Sequence, residues 1–279
     1  MSVRSKSHVS GNAGSENADL VEGRADPTRI WLIDLGNTRL KWARADALGS
    51  GDTHAVAHAQ SEQECALDIA FGAIGAGDQV WLASVASPGL TARVEAALRR
   101  RGAQVTPALT QSECAGVRIA YADPSRLGVD RFLTLLAAHA RAPCAWLIAS
   151  IGTALTLDLL TADGMHLGGL IVASPTLMRE SLSQRASQLP VDGGSVVDFA
   201  SNTPDALASG AILSARALIA STRQAAKRRL GTTPTLLISG GGADAVCSGW
   251  RVRAERVPGL VLHGLRVYAH AAGEPLLRD

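Results

Sequence analysis

The sequence predicts an α/β protein of two domains with similar topology, and three observations carry that expectation. Strand-type and helix-type runs alternate along the chain. The opening strand, turn, strand pattern returns about 116 residues later, so that WLIDLGNTRLKWARAD (31–46) aligns with WLIASIGTALTLDLL (146–160). Composition supplies the core: of 279 residues 47% are hydrophobic and 19% charged, and with only 3 Phe, 2 Tyr and 5 Trp that core is aliphatic.

Taken in order, residues 1–28 are rich in Ser, Asn, Gly and charge and have no apolar h-region, so they read as a disordered tail and not as a signal peptide. Arg29–Ala45 reads as two strands, IWLID and RLKWARA, joined by LGNT, with Gly-Asn as the hairpin signal. Cys65–Ile74 suits a helix and VWLASVAS (80–87) a buried strand. Leu90–Arg101 is an amphipathic helix with an Arg-rich end stopped by Gly102, and Val129–Arg141 has helical spacing. The second hairpin leads into GMHLGGLIV, a long helical region over 204–230, then TLLISGGGADAV (235–246) and LVLHGLRVYAHAA (260–272). In the ungapped alignment of the two hairpins Asp34 faces Ser150, Gly36 faces Gly152 and Asn37 faces Thr153. Two such Gly turns across a cleft would offer backbone N–H groups and hydroxyls to a phosphate chain. SGGGADAV, a strand ending in a Gly-rich turn, can face a nucleotide too.

The same reading argues against other classes. Lys plus Arg at 27 against Asp plus Glu at 25 gives a net charge of +2, and the aromatics are scattered, so no nucleic-acid groove is expected. Cys65, Cys114, Cys144 and Cys247 are far apart, which suggests reduced thiols in a cytoplasmic protein. No stretch is uniformly apolar over the length of a membrane span.

Seven motifs in order, DLGNTRLK (34–41), RLGVDRFLTLLAAH (126–139), IGTALTLDLL (151–160), ADGMHLGGLIV (162–172), SNTPDALASGAI (201–212), SGGGADAV (239–246) and PGLVLHGL (258–265), resemble the type III pantothenate kinase family, which includes Bvg accessory factor members. The resemblance implies two RNase H-like domains of the acetate and sugar kinase, Hsc70 and actin superfamily, here 29–144 and 145–279, with an ATP cleft between them, in a homodimer. It also implies ATP-dependent phosphorylation of pantothenate to 4′-phosphopantothenate, the first step of coenzyme A synthesis.

By that resemblance Asp34, Leu35, Gly36, Asn37, Thr38, Arg39, Leu40, Lys41 and Thr153 bind ATP, with Asp34 holding Mg²⁺ through water. Asp130 is the base that accepts the proton of the pantothenate hydroxyl. Tyr121, Gly128, Val129, Asp130, Arg131 and Thr203 contact that substrate. Each position also has an ordinary structural explanation: Asp34 as a turn cap, Lys41 as a solvated strand lysine, Asp130 as a helix cap beside Arg131, Tyr121 as a half-buried aromatic, and Thr203 as the N-cap before Pro204. His166 reads as a satisfied structural histidine.

Two departures stand out. The family's carboxylate for a monovalent cation, K⁺ or NH₄⁺, is Ser150 here, so the cation response is expected to be weakened or lost unless another carboxylate, Asp158 first, replaces it. The family's Pro-Gly after Gly168-Gly169-Leu170-Ile171 is Ala173-Ser174, although Thr176-Leu177-Met178 rejoins the pattern. These departures favour an alternative, a weak or inactive relative acting as a nucleotide-binding accessory protein. A kinase of the same fold for another hydroxylated molecule is a third reading, and a Rossmann reading of SGGGADAV ranks lower still because no GxGxxG follows an N-terminal strand.

Overall fold

A computed structural model describes residues 29–49, 53–57, 67 and 69–274. The tail at 1–28 lies outside them, as does much of the expected helix around Cys65–Ile74, of which Leu67, Ile69 and Ala70 are helical.

The first sheet contains β1 (Ile30–Leu35), β2 (Arg39–Arg44), β3 (His54–Ala57), β4 (Gln79–Ser84) and β5 (Gln104–Pro107), in the order β3-β2-β1-β4-β5. After helix α1 (Pro88–Arg100), a two-stranded ribbon, β6 (Glu113–Cys114) and β7 (Val117–Arg118), leads to α2 (Val129–Arg141). The second sheet contains β8 (Trp146–Ile151), β9 (Ala154–Leu160), β10 (His166–Ala173), β11 (Thr235–Ser239) and β12 (Glu255–Arg256), in the order β10-β9-β8-β11-β12. Between β10 and β11 run α3 (Pro175–Arg185) and α4 (Thr203–Leu230). A short α5 (Ala243–Cys247) follows β11, and α6 (Leu260–Ala271) follows β12.

The two sheets have one topology. In each, the first three strands are antiparallel neighbours and the last two join the first in parallel. The helices correspond as well, since α2 follows β5 as α6 follows β12. The internal repeat seen in the sequence is thus a repeat of the whole sheet. One detail of the ungapped alignment is corrected. Leu35 pairs with Leu40 across the first hairpin but Ile151 pairs with Leu155 across the second, so the second turn is one residue shorter. The gap falls at Asn37, and the residue equivalent to Thr153 is Thr38.

Both β1 and β8 read as continuous apolar runs because both of their faces are covered. Alternate residues of β1, Trp31, Ile33 and Leu35, pack with Leu90, Val94, Ala97 and Leu98 of α1. In β8, Leu147, Ala149 and Ile151 pack with Ile212, Ala215 and Ile219 of α4. The other faces, with Leu32, Trp81, Trp146, Ile148 and Leu160, share one core with Phe132, Leu133, Leu135 and Leu136 of α2 and Leu260, Leu262 and Leu265 of α6. By strand alternation Asp34 and Ser150 lie on these shared faces, at the carboxyl ends of their strands.

The helices α2 and α6 form the layer between the sheets, and they cross at Gly264. A Cβ there would sit 1.8 Å from the Leu133 carbonyl oxygen, so backbone meets backbone at this point. Gly264→Ala should force the helices apart and destabilise the protein by about 2–3 kcal/mol, the cost of overpacking a filled core. Chemical denaturation measures it; an unchanged midpoint would show that the crossing tolerates a methyl group.

Candidate functional site

The first turn closes with the Gly36 N–H donating to the Arg39 carbonyl at 3.1 Å, and the second with the Gly152 N–H donating to the Ala154 carbonyl at 2.9 Å. The two turns meet: the hydroxyls of Thr38 and Thr153 are 2.5 Å apart, and either can donate. Asn37, Thr38, Arg39 and Thr153 are exposed at this junction, whereas the Leu35 and Leu40 side chains are buried in the core, which leaves only their backbone to face a ligand.

The Gly-rich turn after β11 joins the same place. Gly240 has φ +93°, and its Cβ would lie 2.3 Å from the Ile151 carbonyl oxygen; the Gly242 N–H donates to that carbonyl at 3.0 Å. Arg39 reaches across from the first turn, its Nη1 at 3.9 Å from where a Gly241 Cβ would be. Gly240, Gly241 and Gly242 therefore lie beside the two hairpin turns.

Asp34 is 4% exposed and faces Lys41 across the β1–β2 ladder, with Lys41 Nζ donating to Oδ2 at 3.2 Å. Burial raises its pKa above the ordinary 3.8; the Lys41 charge opposes the rise and the Asp130 charge adds to it. Asp34 and Asp130, distant in sequence, thus feel each other. Neither is the helix or turn cap it could have been: α2 has Gly128 at its N-cap and no side-chain cap bond.

Asp130 is half-buried on the first turn of α2, its Oδ1 accepting the Arg131 N–H at 2.8 Å. Burial, above all, raises its pKa too. Gly128 makes room for it, because a Cβ there would be 2.6 Å from Asp130 Oδ1. That same Cβ would touch Val85, whose N–H donates to the Leu35 carbonyl at 3.0 Å, so Asp130 stands beside the first turn. Val129 is buried against the shared core.

The Arg131 side chain joins a buried cluster. Its Nε and Nη2 clamp the two oxygens of Asp158 on β9 at 3.0 and 2.5 Å, and Nη1 donates to the Tyr121 hydroxyl at 3.2 Å. Burial opposes the guanidinium charge, but the Asp158 bonds outweigh it and hold the proton more firmly than usual. His166 also bonds Asp158, at 3.0 Å, and is satisfied as the sequence suggested. Asp158 is 1% exposed, and both of its oxygens accept hydrogen bonds. The only sign of its role in the sequence is a carboxylate inside the apolar run ALTLDLL, which has to be paired.

Thr203 is not the N-cap of α4. Asn202 is, accepting the Asp205 N–H at 2.9 Å, and Thr203 is the first helical residue, exposed. It lines an open depression of about 470 Å³ with Ala200, Ser201, Asn202, Ala206 and Leu207. Ser150 is half-buried between Thr156 and Ser239 in the sheet. The altered loop after β10 closes well, with Ser174 capping α3 by accepting the Leu177 N–H at 3.2 Å and Pro175 in the first helical turn. Among the described residues no group of three or more His, Cys, Asp or Glu could hold a metal ion, and no helix is long and apolar enough to cross a membrane.

Two sheets of one topology around a shared helical layer, with Gly turns meeting at the carboxyl ends of their first strands, define a two-lobed α/β fold. A solved Campylobacter jejuni protein described as a Baf family transcriptional activator has this fold, with a TM-score of 0.57 at 16% identity, over 88% of this chain and 100% of that one. The type III pantothenate kinase family profile matches residues 30–225. Curated relatives named type III pantothenate kinase include those of Xanthomonas oryzae pv. oryzae (strain PXO99A) and Xanthomonas campestris pv. campestris (strain B100). Each is 49% identical, covering 88% of this chain and 99% of the relative. The chain belongs to the type III pantothenate kinase family.

Proposed function

We propose that the protein transfers the γ-phosphoryl group of ATP to the primary hydroxyl of pantothenate, giving 4′-phosphopantothenate and ADP, the first step of coenzyme A synthesis. The observation that carries this reading is the convergence at one cleft of Asp130, a carboxylate made more basic by burial, with Asp34 and the two meeting turns. Phosphoryl transfer asks for held phosphates, an aligned acceptor oxygen and a group to take its proton. The turn backbone of 34–41, with Thr38, Arg39 and Thr153, is suited to the phosphates, with Lys41 adding positive charge. Asp130 takes the hydroxyl proton as the oxygen bonds to phosphorus and the bond to the β-phosphate breaks. Tyr121, Gly128, Val129, Arg131 and Thr203 border or shape the pantothenate side.

Mg²⁺ fits this donor set, because it is usually held by one or two carboxylates plus substrate phosphates and water, and Asp34 is a buried carboxylate only partly balanced by Lys41. Bound with ATP, Mg²⁺ screens the phosphate charge. The monovalent cation fits poorly, since Ser150 is neutral and Asp158 is sequestered by Arg131 and His166. ATP and Mg²⁺ are cytoplasmic supplies, and we place the enzyme there, as two lobes divided near residues 144 and 145. The strands of each sheet all come from one side of that division. The accessory-protein alternative rests on Ser150; Asp34, Asp130 and their shared cleft weigh against it.

A homodimer is supported by exposed apolar residues around β10, α3 and the loop before α4: Leu170, Ile171, Leu182, Val196 and Phe199, the last 98% exposed. Arg179 on α3 adds a guanidinium whose buried Nε and Nη2 have no hydrogen-bond partner. Light scattering should give twice the chain mass of 28.9 kDa; a single-chain mass overturns the dimer.

Asp130→Asn should lower turnover about 10²–10⁴-fold, measured as phosphopantothenate by mass spectrometry, because the amide cannot accept the proton. In the wild type the rate should fall on the acid side through a pKa above 3.8. Stability moves the opposite way. Since the folded-state pKa is raised, ionisation costs the fold stability as pH rises above the unfolded value. Asp130→Asn should therefore melt higher than wild type at pH 7, with the gain shrinking toward pH 4. Near wild-type turnover would remove Asp130 as the base.

For the cation, initial rates should depend little on K⁺ or need unusually high K⁺, and Ser150→Asp should sharpen the response. A wild-type response saturating at low K⁺ and unchanged in the variant would refute this.

A further inference from the structure

Four side chains, His166, Asp158, Arg131 and Tyr121, form one bonded cluster that closes on itself, with the Tyr121 ring stacked on His166. His166 is buried; its Nδ1 accepts the Ala120 N–H at 3.4 Å, which places its proton on Nε2, the nitrogen that donates to Asp158 Oδ1. Both Asp158 oxygens are engaged, Oδ1 accepting from His166 and Arg131 and Oδ2 from Arg131. Gly169 leaves the space, since a Cβ there would lie 2.3 Å from Asp158 Oδ1 and 2.5 Å from Arg131 Nη2. Arg131 Nη1 then donates to the Tyr121 hydroxyl, and the Tyr121 ring lies parallel to His166 at 6.1 Å.

The direction of each bond matters. The Tyr121 oxygen already accepts from Arg131, so its own O–H proton points elsewhere, and Tyr121 is the half-buried member of the cluster. Asp158 neutralises Arg131, so the group offered is a hydrogen bond with little net positive charge. We propose that Asp158 and His166 are positioning residues that hold Arg131 and, through it, fix the Tyr121 O–H as donor to an acceptor oxygen of pantothenate. This rests on the kinase reading above.

Removing Asp158 would strand a buried guanidinium, so His166 is the residue to change. Three variants, Tyr121→Phe, His166→Leu and His166→Gln, and the double variant Tyr121→Phe/His166→Leu are compared in steady-state kinetics and in pantothenate binding by calorimetry, after a melting curve shows each folded. Tyr121→Phe should raise the pantothenate KM and Kd about tenfold, the worth of one such hydrogen bond, with little change in kcat or in the KM for ATP. His166→Leu should act in the same direction, and His166→Gln, whose amide N–H can stand where Nε2–H stands, should restore binding. The double variant should be no worse than Tyr121→Phe alone, because His166 acts through the tyrosine. A folded His166→Leu with wild-type KM and Kd, a His166→Gln no better than it, or additive losses in the double variant would each overturn the proposal. A wild type that binds pantothenate without phosphorylating it refutes the kinase reading, while the binding ranking still decides this one. A wild type that binds none overturns both.

Discussion

The position of α2 between the two sheets is the constraint on which the cleft depends. Its apolar face packs against both lobes, Gly264 lets α6 touch its backbone, and the Arg131–Asp158 clamp ties its first turn to β9. Asp130 sits one residue before that clamp and accepts the Arg131 N–H. The orientation of the candidate base is therefore set by a helix that packs against both sheets. A change deep in the core that shifted α2 would be felt at the carboxylate, where small displacements cost large factors in rate.

Charge is arranged to the same end. Of the three carboxylates, buried Asp34 is paired with Lys41 and half-buried Asp130 accepts the Arg131 N–H, whereas Asp158 has a bidentate arginine and a histidine. The first two are the less balanced, and burial raises the pKa of both, so keeping them ionised costs the fold stability. The balanced one is a structural anchor. The distinction between Asp158 and the other two is one of environment, not of residue type.

That is also why the sequence revealed some of this and not the rest. The repeat of WLIDLGNT as WLIASIGT announced two like sheets, and the helix at Val129–Arg141 has the bounds its periodicity predicts. Strand alternation would have put Asp34 and Ser150 on one kind of face. The pairing register was out of reach, since the missing residue in the second turn shows only when Ile151 is seen opposite Leu155. So was the fate of Asp158, because an ion pair between residues 131 and 158 depends on which strand lies against which helix. Thr203 is not the cap because the helix begins one residue earlier than that reading needs, with Asn202 accepting the Asp205 N–H.

The meeting of Thr38 with Thr153 has one more consequence. These are equivalent positions of the two halves, and α2 and α6, which also correspond, pack on each other in the same way. Contacts between like parts are the signature of an approximate twofold axis, so the interior of this single chain is built as an isologous interface is built between subunits. Within one chain the halves need not be identical. One strand carries an aspartate at 34 and its counterpart a serine at 150, a difference that no dimer of identical chains could express across its own axis.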